Sequence, residues 1–235
     1  SACAGAFGTA TGAYAWSPGV RSSSYASSSM ELDARTTALG NSAVAALRNA
    51  TATGTGANAG GENSTALGAD ATAALLNATA VGQNANAGAN GTAVGQAADA
   101  SGSFATAIGR NSLASGSASI ASGSNSRAEG QLSSSFGFGS FASTDFATAL
   151  GARSIAQGLY STAIGYDAAA NHDGSTAIGA NAVTTRANQN MIGTAAQSTT
   201  IAGLDRAVSL AAQGTVTGLV TTDADGNIAS DGGAL

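Results

Sequence analysis

The chain has 235 residues, of which 9% are charged and 5% are aromatic, and it contains 33 glycines but 1 proline. A globular domain carries about a quarter charged residues, so this composition favours a fibrous or solenoidal protein built from closely stacked backbones. The net charge is -5, every basic residue is an arginine, and no basic stripe is present, which excludes nucleic-acid binding.

The first 36 residues follow the repeat of the later chain poorly. They contain the only tryptophan and the only proline, Trp16 and Pro18. The end of a solenoid exposes unpaired strand edges, which proteins commonly cover with an atypical terminal segment. We therefore expect residues 1–36 to form an irregular cap.

Residues 37–193 repeat with a period of fourteen. Each repeat carries a glycine at the same phase, usually after threonine, alanine and an aliphatic residue, as in Thr106-Ala107-Ile108-Gly109. One step, from Gly82 to Gly95, is thirteen residues long. The phase glycines, which we expect at structural turns, are Gly40, Gly54, Gly68, Gly82, Gly95, Gly109, Gly123, Gly137, Gly151, Gly165, Gly179 and Gly193.

The other positions of the repeat are also selective. Alanine or serine stands three residues after the phase glycine and alanine almost always stands five after it, as at Ser112 and Ala114. This spacing puts both on one face of a strand. Asn, Asp or Gly, which tolerate positive φ, stands two residues after many phase glycines and indicates a turn. A second group of glycines half a period later, such as Gly102 and Gly116, indicates another turn. Each repeat therefore predicts one rung of an all-β, flattened parallel solenoid.

Other repeat classes fit the period less well. Helical repeats need about 33 to 47 residues, and calcium-binding nonapeptide repeats need a Gly-Gly-x-Gly-x-Asp phrase that does not recur here. An ice-binding solenoid would need a flat ladder of Thr-x-Thr. That phrase begins at Thr9, Thr51 and Thr215 without a regular spacing, so ice binding is disfavoured.

An alanine-lined rung buries little apolar surface. At about 25 cal/mol per Å², its gain is small against the backbone ordering cost of ~1–2 kcal/mol per residue. The column of Leu, Val and Ile before the phase glycine must also pack against something. The chain is therefore expected to be an obligate oligomer, with the number of copies left open by the residues alone.

The repeated phrase resembles the head repeats of trimeric autotransporter adhesins of the YadA type. The resemblance rests on Ser-Thr-Ala-Ile-Gly, at Ser161–Gly165 and Ser175–Gly179, followed by Ala or Ser at alternate positions. It implies a left-handed parallel β-roll in each protomer and three protomers about a three-fold axis. It also implies a location at the bacterial cell surface and adhesion to host matrix, cells or other bacteria.

Residues 194–235 are expected to form a neck-like connector with a short hairpin. Asn188–Ala195 is similar to the segment that closes such heads, and Leu219–Ser230 resembles a stretch found between head and anchor. Stalk and anchor are absent, so the resemblance implies outer-membrane attachment only through an anchor outside this chain. The Asp-Gly pair within Asp223–Asn227 favours a hairpin turn over a calcium loop, because the glycine is misplaced and the closing glutamate is missing.

The candidate ligand-contacting residues are aromatic. Outward-facing aromatic side chains would form an adhesive patch, whereas inward-facing ones would fill the space between three rolls, which is the more common fate of phenylalanine. Tyr160 and Phe146 occupy the same position in neighbouring repeats, as does Phe104 three repeats earlier. The candidates are Phe136, Phe138, Phe141, Phe146 and Tyr160.

No catalytic, metal or cofactor site is expected. The single histidine, His172, stands in a turn position next to Asp173, without further partners converging on it. The sequence therefore predicts a non-enzymatic, homotrimeric adhesin head with multivalent contacts. The alternative is a structural filament or fibre without a specific ligand.

Overall fold

The computed structural model describes residues 3–4, 9–11, 13–17, 23–25, 30–31, 35–194, 196, 220–222 and 228–230. The chain divides into two units, Ser1–Gln197 and Ser198–Leu235. The first unit is a parallel β-solenoid, so the prediction of an all-β parallel solenoid is confirmed. In the described part of the chain, no helix is long and apolar enough to cross a membrane.

Sheet 1 contains fourteen parallel strands of three residues each, one per rung. They are β2 (Thr9–Thr11), β4 (Ser23–Tyr25), β6 (Thr37–Leu39), β8 (Thr51–Thr53), β10 (Thr65–Leu67), β11 (Thr79–Val81), β13 (Thr92–Val94), β15 (Thr106–Ile108), β17 (Ile120–Ser122), β19 (Ser134–Phe136), β21 (Thr148–Leu150), β23 (Thr162–Ile164), β25 (Thr176–Ile178) and β26 (Asn190–Ile192).

Sheet 2 lies on the other side of each rung and contains two-residue parallel strands. Single bridges from Thr72 to Asn58 and to Asn86 link its five-stranded and seven-stranded parts. The strands are β1 (Cys3–Ala4), β3 (Trp16–Ser17), β5 (Met30–Glu31), β7 (Val44–Ala45), β9 (Asn58–Ala59), β12 (Asn86–Ala87), β14 (Asp99–Ala100), β16 (Leu113–Ala114), β18 (Arg127–Ala128), β20 (Phe141–Ala142), β22 (Ile155–Ala156) and β24 (Ala169–Ala170).

Neighbouring rungs pair in register, one repeat apart. Thr106 pairs with Thr92 on one side and with Ile120 on the other. The thirteen-residue step leaves this register intact, since Thr79 pairs with Thr92 and Asn86 pairs with Asp99. The missing residue therefore falls in the turn that follows β12, where Gly88 and Ala89 connect the two sheets. Shortening a turn preserves the alternation of inward and outward side chains that a slip within a strand would reverse.

The interior of each rung consists of alanine and serine side chains. Ala107 of sheet 1 and Ala114 of sheet 2 are fully buried, as is Ser112 between them. The hydroxyl of Ser112 donates a hydrogen bond to the carbonyl of Gly109 at 2.9 Å, which satisfies a polar group inside the solenoid. Small side chains are needed here because the two sheets of one rung lie back to back, and the predicted alanine-lined interior is confirmed.

The phase glycines allow both the turn conformation and the close stacking of neighbouring rungs. Gly109 has a φ of 124°, a conformation that side chains rarely adopt. A Cβ on Gly109 would lie 2.6 Å from the carbonyl oxygen of Gly123 in the next rung. Glycine is therefore required twice at this position, once for its φ and once for the close approach of two backbones.

The described strands between residues 3 and 31 continue the ladder regularly. Thr9–Thr11 pairs with Ser23–Tyr25, which in turn pairs with Thr37–Leu39. Trp16 pairs with Met30 in sheet 2. These described strands pair with the repeats that follow, because backbone pairing tolerates side chains that the repeat motif does not contain. Pro18 lies outside the described residues, and a capping role for residues 1–36 stays a prediction.

The second unit contains an antiparallel pair of strands, β27 (Val220–Thr222) and β28 (Ile228–Ser230). Val220 pairs with Ser230 and Thr222 pairs with Ile228. The predicted Asp-Gly turn falls on residues 223–227, which lie outside the described residues. The assignment of residues 194–235 as a neck-like connector stays a prediction.

Candidate functional site

The outward face of sheet 1 carries two parallel columns of side chains. The first consists of the residue three positions before each phase glycine, and it is threonine in six consecutive rungs. We call these residues the threonine column; each is half-buried and pairs in register with the next. The threonine column comprises Thr37, Thr51, Thr65, Thr79, Thr92 and Thr106.

The second column on this face is the aliphatic residue that directly precedes each phase glycine. Leu150 exposes 47% of its surface in the isolated protomer. Leu39, Ile108 and Ile178 are exposed in the same way. Apolar side chains repeated along a flat sheet form an extended hydrophobic strip. The solenoid thus buries its alanines and leaves its larger aliphatic residues outside.

The threonine column was not predicted as a structural feature. Thr-x-Thr phrases are irregularly spaced in the sequence, and the threonine before each Ala-Ile-Gly was interpreted only as part of a motif. The signal was present in the sequence, because a residue that recurs at one phase of a parallel solenoid must stack with its copies. Stacked in this way, Thr92 and Thr106 form a polar strip next to the aliphatic one.

The five aromatic candidates do not form one cluster. Phe136 lies on the outer face of sheet 1 and is 37% exposed, whereas Phe138 lies in the following turn and is 57% exposed. Phe141 is half-buried on the outer face of sheet 2, under the guanidinium of Arg127 at 4.9 Å from its ring centroid. The structure therefore distributes these three side chains around the rung.

Phe146 and Tyr160 do come together. Their ring centroids are 4.8 Å apart and their planes differ by 14°, so the rings stack from one rung to the next. Tyr160 is 61% exposed and Phe146 is 41% exposed. The spacing follows from the separation of parallel strands, about 4.8 Å, which matches the distance for aromatic stacking.

Both rings belong to a column at the second turn that we call the second-turn column. Its members have a positive φ, with one residue in each rung, and their side chains project from the edge between the two sheets. The column is polar in its first five rungs and becomes mostly apolar from Phe104 onward. In chain order it consists of Arg35, Asn49, Asn63, Asn77, Asn90, Phe104, Ala118, Leu132, Phe146, Tyr160, Gly174 and Asn188.

Carboxylates flank the aromatic part of this column. Asp145 Oδ1 accepts a hydrogen bond from the backbone N–H of Gln131 at 2.7 Å. Asp173 Oδ1 accepts one from the backbone N–H of Leu159 at 2.9 Å. These contacts hold the two acidic side chains along the edge, so the stacked rings of Phe146 and Tyr160 present an aromatic surface with hydrogen-bond acceptors beside it.

A different arrangement surrounds Tyr166, in the first turn. The guanidinium of Arg153 lies 5.5 Å from its ring centroid, and Arg153 Nη1 donates to the Tyr166 hydroxyl at 3.1 Å. Arg153 Nε also lies 2.8 Å from Asp167 Oδ1. The ring of Tyr166, which is 50% exposed, is thus contacted by a paired cation, whereas the ring of Tyr160 stacks on Phe146.

His172 is half-buried in the second turn, where its carbonyl accepts a hydrogen bond from the hydroxyl of Ser175 at 2.7 Å. This hydrogen bond in the turn uses the backbone carbonyl of His172 and not its imidazole. Within the described residues, no three His, Cys, Asp or Glu side chains converge as a metal site would require.

Six segments of the chain match the YadA head domain repeat. They are residues 34–57, 59–85, 87–112, 100–126, 128–154 and 156–182, which together span more than half of the sequence. The chain belongs to the YadA head domain repeat family. The resemblance to trimeric autotransporter adhesin heads is thereby confirmed, and the family is one of non-enzymatic adhesins.

Among solved structures, the collagen-binding domain of the Yersinia adhesin YadA is similar at 21% sequence identity. The match covers 83% of this chain and 75% of that one, with a TM-score of 0.33. At this TM-score the family assignment rests on the YadA head repeats alone. No curated protein sequence matches the chain.

Proposed function

We propose that this chain is the head of a homotrimeric bacterial surface adhesin that attaches cells to host matrix, to host cells or to one another. The observation that carries the proposal is the exposed aliphatic column of sheet 1, which a lone protomer leaves in water. In this proposal each protomer is a left-handed β-roll, and three rolls pack about a three-fold axis. In this proposal the full-length protein is exposed at the bacterial surface and anchored in the outer membrane.

Burial energetics support a partner of the same kind. Leucine and isoleucine in this column keep at most about half of their surface exposed, so covering them stabilises an assembly by about 1 kcal/mol per side chain, roughly half of the value for full burial. Leu150, Ile164 and Ile178 stand in consecutive rungs, and Ile164 is already half-buried within the protomer. Cyclic symmetry closes such an assembly without leaving a free copy of the face.

The ligand-contacting surface in this proposal is aromatic and repeated three times per head. Phe136 and its column lie on the face assigned to the trimer, so that ring serves packing. Tyr160 and Phe146 lie on the turn edge, beside the carboxylates of Asp145 and Asp173. Individually weak contacts at this edge add through avidity when three copies engage together.

The trimer is tested by the solution mass from size-exclusion chromatography with light scattering. A mass near three times 22.2 kDa is expected, and a well-folded monomer would refute the proposal. Leu150→Asp together with Ile178→Asp should dissociate the trimer. Ile155→Asp, on the outer face of sheet 2, is the matched control and should leave the mass unchanged.

Adhesion is tested with immobilised collagen, immobilised fibronectin and whole cells. Binding to at least one of these surfaces is expected from the trimer and not from the dissociated double variant. Very large species of variable length without affinity for any surface would instead favour a structural filament, formed by pairing of the open strands at the ends of the solenoid.

A further inference from the structure

The polar part of the second-turn column carries a second pattern. We call Asn49, Asn63, Asn77 and Asn90 the asparagine column. In every case threonine follows two residues later, and the residue between is alanine, serine, alanine or glycine, never proline. Each position is therefore an Asn-x-Thr acceptor sequence for N-linked glycosylation. Four such sequences fall in four consecutive rungs and project from one edge of the solenoid.

The four side chains are accessible to solvent and are joined to one another by hydrogen bonds. Asn49, Asn63 and Asn77 are exposed, and Asn90 is half-buried. Asn49 Nδ2 donates to Asn63 Oδ1 at 2.8 Å, Asn63 Nδ2 to Asn77 Oδ1 at 3.2 Å, and Asn77 Nδ2 to Asn90 Oδ1 at 2.9 Å. The amides thus form a continuous ladder along the solenoid axis.

This ladder is compatible with a sugar on each nitrogen. A carboxamide nitrogen carries two hydrogens, and the ladder uses one of them to reach the next rung. An N-glycosidic bond replaces the other hydrogen and leaves one N–H. Modification of Asn63 therefore preserves its bond to Asn77, so that the folded solenoid accepts the modified chain.

We propose that Asn49, Asn63, Asn77 and Asn90 are N-glycosylation sites that receive single sugars from a diphosphate-activated donor. In the transfer, Nδ2 attacks the anomeric carbon and forms the carbon–nitrogen bond. The bond from that carbon to the diphosphate oxygen breaks, and the diphosphate leaves with the electron pair. The amide proton passes to a base of the glycosyltransferase.

The geometry restricts when and how the sites are modified. Each acceptor threonine lies in a hydrogen-bonded strand of sheet 1, for example Thr65 with its N–H donating to the carbonyl of Ala78 at 2.9 Å. Transfer therefore precedes folding of the solenoid. Adjacent acceptors are about 4.8 Å apart, which leaves room for single sugars side by side and excludes branched oligosaccharides on every rung.

The competing explanation is that asparagine stands in this column only because it tolerates positive φ. The chain supplies internal controls for it. Asn188 occupies the same column and Asn111 and Asn125 form a similar pair in the first turn, yet none of these three is followed by Ser or Thr two residues later. These asparagines have the same backbone requirement without the acceptor sequence.

The experiment is peptide mass mapping of the protein isolated from the cells that produce it naturally. Cleavage after arginine releases residues 49–110 as one peptide that contains all four sites. Further cleavage after Glu62 and before Asp70 separates Asn49 from Asn63 and both from the remaining pair. Mass increments of one hexose or N-acetylhexosamine per site are expected, with Asn111, Asn125 and Asn188 unmodified. Four bare asparagines would overturn the proposal.

Matched variants distinguish the acceptor sequence from a structural effect. Thr65→Ala should abolish the increment on Asn63, and Thr65→Ser should retain it. Thr106→Ala changes the same column in a rung whose turn residue is Phe104, and it should alter no increment. Increments unaffected by Thr65→Ala would contradict the proposal. Transfer of a preassembled oligosaccharide instead of single sugars would contradict the stated donor step. The trimer mass is a separate readout, so failure here leaves the adhesin proposal intact.

Discussion

The rings of Phe146 and Tyr160 stack at 4.8 Å across neighbouring rungs, with both residues in a positive-φ turn conformation. A bulky residue with positive φ is uncommon and costs about 1–2 kcal/mol. The stack returns about 0.5–1.5 kcal/mol. The free energy of folding therefore does not explain why aromatic side chains stand at these two positions. Their exposed surface is the better explanation, because it is available to contact a ligand.

Tyr160→Ala is expected to lower binding of the trimer to its adhesive surface by about tenfold to a hundredfold, because a small loss per site is compounded over three copies. The measurement is a binding isotherm on collagen, fibronectin or whole cells, whichever the parent protein recognises. Tyr166→Ala removes an exposed tyrosine of the first turn, outside the second-turn column and in contact with Arg153, and should bind like the parent. Equal losses for both variants would argue against a specific role for the stacked edge.

Gly109→Ala is expected to destabilise the solenoid by about 3 kcal/mol or more, since the new Cβ meets the backbone of Gly123 and φ is unfavourable. Gly139→Ala is the control. A Cβ there meets only Arg153 Cγ at 3.9 Å, so the cost is the left-handed backbone alone, about 1 kcal/mol. Chemical denaturation at one fixed protein concentration measures both, because stability of an oligomer depends on concentration.

Ala118→Gly is expected to raise the free energy of unfolding by about 0.5 kcal/mol. Ala118 has a φ of 52°, and relief of this strain exceeds the entropy that glycine gains in the unfolded chain. Ala121→Gly, in a buried strand position three residues later, should instead lower stability by about 1 kcal/mol. A loss of stability in Ala118→Gly would show that the turn does not strain its alanine.

Ser133→Ala is expected to leave stability unchanged or to raise it by up to about 1 kcal/mol. The Ser133 hydroxyl is buried without a hydrogen-bond partner among the described residues. Ser64 occupies the same position in another rung, where its hydroxyl donates to the carbonyl of Gly61 at 2.6 Å. Ser64→Ala should therefore cost about 1 kcal/mol. Thermal or chemical unfolding of the two variants side by side distinguishes the cases.

The sequence by itself determined the rung, its period and its interior. Recurrence at one phase requires parallel stacking, and alanine or serine at alternate positions, as at Ser112 and Ala114, identifies the buried face. These inferences succeed because they depend on spacing along one strand, which the sequence states directly. The family followed from the same phrases, at Ser161–Gly165 and Ser175–Gly179.

Only the tertiary structure showed which contacts form between residues in neighbouring rungs. It showed that Gly109 is needed against the carbonyl of Gly123, that Phe146 stacks on Tyr160 while Phe141 lies elsewhere, and that Ser23–Tyr25 continues the ladder without the motif. Each of these depends on contacts about fourteen residues apart and on the direction in which a turn projects its side chain. Local secondary-structure propensity does not predict these contacts or the direction of the turn side chains, because both depend on how one rung packs against the next.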